Sequence, residues 1–177
     1  MVNTSRAAGV FRALLLTVVA LALAGIGRPL QAQQGMALSP SERAEVAGYT
    51  LSVDKAKRFT ALGGELSRLL ASDPAYRALV TETANQGLTA QAAVLEQVPK
   101  AAAALRAAGF SAHEYAVGSR AFRGAEAIEQ AQARGRAATP AMQAMFPASA
   151  AQVAFVRAHR AELDAIALEH RSHAARP

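Results

Sequence analysis

Alanine occupies 46 of the 177 positions, about a quarter of the chain, and no other feature limits the fold as much. Alanine is the strongest helix former. Sheets need β-branched and aromatic side chains for their pleated faces, and aromatics make up only 5% of this sequence. The expected fold is all-α. The chain contains no Cys and no Trp, which removes disulfide scaffolds, thiolate metal sites, Cys nucleophiles and haem attachment from consideration. Its length allows one small domain and excludes a multidomain enzyme.

The N-terminus is a separate problem. Arg6 and Arg12 supply positive charge without an acid, and an apolar run follows from Ala13 to Gly27. Arg28 and Pro29 end the run, and Leu30-Gln31-Ala32 offers the small and aliphatic residues that a signal peptidase reads. This layout predicts a secretory signal peptide over 1–32, cleaved after Ala32. The 15-residue run is shorter than the ~20 residues of a spanning helix, so no stable membrane span is expected after cleavage; an uncleaved anchor is the alternative. The product would begin at Gln33, in the periplasm or outside the cell. Losing Arg6, Arg12 and Arg28 leaves 16 basic against 13 acidic residues, a net of +3. The bases do not interleave with aromatics, so no nucleic-acid partner is expected.

Residues 33–50 read as a lead-in with one helical turn near Glu42 to Ala47. The helical domain is placed at 51–172, a bundle of about five or six helices, with a frayed tail at 173–177 and loosening from His170 onward. Ser52 caps a helix with an apolar stripe of Phe59, Leu62, Leu66 and Leu69. Asp73-Pro74 ends it and opens the next, which carries Tyr76, Leu79 and Val80. Thr89 is the expected cap of a third helix, and Pro99 kinks or restarts it. Gly109 suits a left-handed cap. Ser111 with Glu114 forms a capping-box pattern for a helix running to about Arg134. Residues 135–147 form the long connection, and Ser149 caps one last helix with Val153, Val156, Leu163 and Ile166 on its core stripe.

Three stretches carry a resemblance: Tyr49-Thr-Leu-Ser-Val-Asp-Lys-Ala-Lys-Arg-Phe59, Pro99 through Leu105-Arg-Ala-Ala-Gly-Phe-Ser-Ala-His-Glu-Tyr115, and Gln152-Val-Ala-Phe-Val-Arg-Ala-His-Arg-Ala-Glu-Leu163. Together they resemble a group of uncharacterised secreted helical proteins from bacteria. The resemblance spans roughly 49–166 and implies export and a helical fold, with no activity attached. Leu88-Thr89-Ala90-Gln91 also begins like the Leu-Thr-x-x-Gln motif of periplasmic chaperones. Its Gln comes one residue early, and a Leu-Thr pair before a helix also serves as a staple and a cap.

No catalytic residue, cofactor or specific metal site is expected. His159, His170 and His173 come nearest to a metal set, because 11 residues place His159 and His170 on one face of a continuous helix. Against this, His159 lies at the edge of a core stripe and the other two lie where the helix should fray. His113 and Glu114 are adjacent and so point about 100° apart. Glu126, Glu129 and Glu162 read as solvated carboxylates with Arg neighbours, Arg123 beside Glu126 and Arg160 beside Asp164. Ser111 has no nucleophile elbow, and no phosphate loop or dinucleotide fingerprint is present. Met142, Met145 and Phe146 in the long connection form either an interaction surface or a lid folded onto the core. The expected function is that of an exported, non-catalytic helical protein of the cell envelope, binding another envelope protein or serving a structural role. The alternative is a bundle that binds a small ligand or metal, with His159 facing its interior.

Overall fold

A computed structural model describes residues 38–84 and 86–174, with side chains to His170. The proposed signal peptide, the Gln33 terminus and residues 175–177 lie outside the described residues, as does the side chain of His173. All described residues belong to one unit, Gly35–Pro177. They form nine helices and no strand: α1 Pro40–Gly48, α2 Val53–Ser72, α3 Pro74–Thr83, α4 Leu88–Gln97, α5 Pro99–Ala107, α6 Ala112–Ala133, α7 Pro140–Met145, α8 Ala150–Ala158 and α9 Arg160–Ala174. Among the described residues no helix is long and apolar enough to cross a membrane. The all-α expectation holds, with more helices than the sequence suggested.

The cap chemistry explains most of the boundaries. Ser52 Oγ accepts from Lys55 N, and Asp73 accepts from Ala75 N and Tyr76 N, each meeting an orphan donor of a helix start. Gly109 ends α5 at φ +73°, a conformation that costs a Cβ-bearing residue dearly. Pro99 restarts the helix as the first residue of α5. The third helix begins two residues earlier than expected: Gly87, not Thr89, is its N-cap. Glu42 Oε1 of α1 caps it from a distance, accepting from Leu88 N.

Helix α6 is the hub, touching α1, α2, α4, α5, α7 and α8. Its Ala116, Ala121 and Ala125 are buried, and methyl-sized contacts let neighbouring backbones come close. At its N-terminal end an aromatic cluster fills the space. Phe59 stacks on Phe110 with centroids 4.6 Å apart, Tyr115 tilts against both, and Tyr49 closes the group at 6.2 Å from Phe59.

Two segments depart from the sequence reading. The lead-in is a full helix, closed by a reciprocal capping box between Ser39 and Glu42, and Leu38, Val46 and Leu51 are in the core. Gln152 of α8 secures it by donating to Val46 O at 2.8 Å and Tyr49 O at 2.7 Å. The last helix is broken at His159 (φ −105°, ψ 17°), which is the C-cap of α8. Helix α9 leaves that corner to pack on α2. It continues through His170 to Ala174 rather than fraying there. Its His170 side chain lies over Gly64, where an added Cβ would sit 2.7 Å from the imidazole Cε1, so tertiary contact supports the turn.

Candidate functional site

His159 is not directed into the interior. Its side chain is 42% exposed, Nδ1 lies 3.4 Å from Glu162, and its ring packs on Phe155 with centroids 4.7 Å apart. The break in the helix removes the continuous register that put His159 and His170 on one face. His170 lines a separate 140 Å³ cleft with Lys57, Thr60, Ala61, Ile166 and Glu169. Among the described residues, no group of three or more His, Asp or Glu is arranged to hold a metal.

His113 faces Glu45, with Nε2 and Oε1 2.7 Å apart. Ser111 Oγ accepts from Glu114 N at 3.0 Å, which is half of the expected capping box. The Glu114 carboxylate turns elsewhere, accepting from the Tyr49 hydroxyl at 3.1 Å and lying 3.5 Å from Lys55 Nζ. The Lys55 ammonium sits 4.5 Å above the Tyr49 ring, close enough for a cation–π contact.

The long connection contains α7, capped by Thr139 Oγ1, which accepts from Met142 N. Met142 and Phe146 pack partly buried against the core, and Phe146 lies against Gly124 of α6. Met145 is 49% exposed. Two of the three candidate residues therefore cover the bundle, and one faces solvent.

The carboxylates of α6 are a correction. They are not solvated: Glu129 is 6% exposed and pairs with Arg160 of α9, while Glu126 is half-buried one turn earlier. Arg160 Nε also lies 3.6 Å from Asp164. Burial pushes the Glu126 carboxyl up to about 7, with nearby Asp164 adding to the rise and Arg123 and Arg160 opposing it. The small neighbours on α6 allow α8 and the start of α9 to approach closely enough to cover these side chains. Nearby, burial and the like charge of Arg123 lower the Arg120 guanidinium, whose buried Nε has no hydrogen-bond partner among the described residues.

A second feature has no counterpart in the sequence reading. Helices α2 and α5 diverge to leave an open groove of about 720 Å³. Leu66, Leu69 and Ala104 are at its floor, and exposed Arg68, Lys100 and Ala103 line its sides. Residues 65, 68 and 72 of one helix and 100, 103 and 107 of the other all lie on this groove, at the three- and four-residue spacing of a single helical face. That face has no signature in the sequence because its α5 half is mostly alanine, which marks neither a core stripe nor a polar face.

Comparison of the chain with family models, with curated proteins and with solved structures finds no match. The fold and the geometry of these sites therefore carry the functional reading.

Proposed function

We propose that the chain is an exported helical protein of the cell envelope, released by cleavage after Ala32, and that it acts by non-covalent binding of another envelope protein rather than by catalysis. The observation that carries this reading is the α2–α5 groove. Enclosed pockets bury most of a small ligand's surface, whereas an open trough with an apolar floor suits the apolar face of an amphipathic helix. The methyl groups of Ala103 and Ala107 permit close approach. Arg68 and Lys100 stand on opposite helices at the groove, and neither has an ion-pair partner among the described residues. With Glu65 also on the groove, the remaining positive charge favours an acidic residue beside the apolar face of the incoming helix.

The chemistry of the polar groups agrees. Glu129, Glu114, Glu42 and Gln152 each tie one helix to another, which is a structural use of these side chains. Reversing both groove charges (Arg68→Glu with Lys100→Glu) is expected to weaken capture of the partner from envelope extract at least tenfold. Met145→Ser, on α7, should leave capture intact. An unchanged partner profile in the charge-reversed protein would refute the groove, and turnover of a substrate would refute the non-catalytic reading.

A further inference from the structure

We propose that Glu126 is a proton-operated latch: in its protonated form it lets the first turns of α9 close over α6, and in its ionised form it loosens them. The geometry comes first. Glu126, Glu129 and Gln130 of α6 line, with Arg160, Leu163 and Asp164 of α9, a narrow cleft of only about 20 Å³. That volume holds about one water, too little to hydrate another carboxylate fully. The cation supplied by α9 is already committed, since Arg160 pairs with Glu129 and reaches Asp164. Glu126 itself has no ion pair among the described residues.

The charged groups around Glu126 come from both helices. On α6 they are Arg123 and Glu129; on α9 they are Arg160 and Asp164. Helix α8 contributes apolar Val156; its Arg157 is bonded to Gln132, and His159 at the corner faces Glu162. Arg123 is shared, because it also interacts with the Tyr115 hydroxyl and lies near Gly63 of α2. A negative charge on Glu126 therefore joins two existing carboxylates around one closely engaged guanidinium. Helix α9 bears the cost, because Asp164 lies on its exposed side and its hold on α6 runs through Arg160 and Glu129, its main packing being on α2.

The direction with pH follows from the raised carboxyl. The folded state holds a proton that the unfolded chain releases near its ordinary value of 4.5. The stabilisation is complete below that value and is lost as pH rises through about 7. Loosening should be local to α9, since α8 packs on α6 on its own, with Val153 buried outside the cleft.

Hydrogen exchange over residues 160–170 of the intact protein, corrected for intrinsic rates, tests this at pH 6 and pH 8. Protection should fall by up to about tenfold for each pH unit between 4.5 and about 7 and level off above that, a fall of roughly tenfold in all between the two conditions. Glu126→Gln should remain protected at both values. Asp164→Asn, an exposed change with little risk to folding, removes the like charge and should move the fall to lower pH. A wild type without the fall, a Glu126→Gln protein that keeps it, or an Asp164→Asn protein whose fall does not move would each overturn the latch.

Discussion

Replacing Gly118 by leucine is expected to destabilise the domain by about 3 kcal/mol or more and to lower Tm by on the order of 10 °C. Gly118 is buried in the middle of α6, where glycine costs a helix about 1 kcal/mol relative to alanine. Space, not backbone freedom, explains its presence. A Cβ here would lie 2.7 Å from Tyr49 Cζ and closer still to Phe59 Cζ. Neither ring can give way: Phe59 is held between Phe110 and Tyr115, and Tyr49 between Lys55 and Glu114. Thermal unfolding of Gly118→Leu and Gly118→Ala, each with and without Phe59→Leu, measures the effect. Shortening Phe59 should recover part of the loss in the Gly118→Ala protein, and strict additivity would place the clash elsewhere.

Gln152→Leu is the second large effect, with an expected cost of about 2–3 kcal/mol. The amide is 3% exposed, and its Nε2 serves the carbonyls of Val46 and Tyr49 while Oε1 accepts from Ser149 N. Leucine preserves the volume and removes the donor. Val46 O still accepts from Tyr49 N at 3.3 Å, so Tyr49 O takes most of the penalty. The loss should also be localised: hydrogen exchange over residues 40–48 should accelerate more than exchange in α4 or α6. Uniform acceleration would mean that Gln152 supports the core generally rather than α1.

The same residue shows why some of the fold could be read from the sequence and some could not. Ser52, Asp73-Pro74, Gly109, Ser111 and Ser149 act within three or four residues of themselves, and the helix ends they set are where local chemistry places them. Helix α1 depends on groups much further along the chain: Glu42 reaches Leu88 N, and Gln152 reaches back to Val46 and Tyr49. A short segment of modest amphipathicity gives no hint of such support, so it read as a lead-in. The break at His159 carries no Pro or Gly and arises where α9 turns from α6 toward α2.

The candidate sites divide along the same line. Met142 and Phe146 proved to be mostly cover, as an apolar connection over a small bundle often is. Glu126 and Glu129 looked solvated because Arg123 stands beside Glu126 in the sequence and such pairs usually face water. Their burial comes from α8 and α9 laid across them. The groove is a property of two helices diverging and has no signature in either one alone.

Site-specific photo-crosslinking in living cells tests the central claim most directly. A photoreactive residue at Ala103, in the α2–α5 groove, is compared with one at Leu168, which is 63% exposed on α9. The expected result is a discrete adduct from Ala103 only, recovered in the envelope fraction, with the chain in it beginning at Gln33 and the crosslink falling in an amphipathic helix that carries an acidic residue. Equal labelling from both positions, or an adduct found on a chain that still carries residues 1–32 in the cytoplasm, would contradict the account.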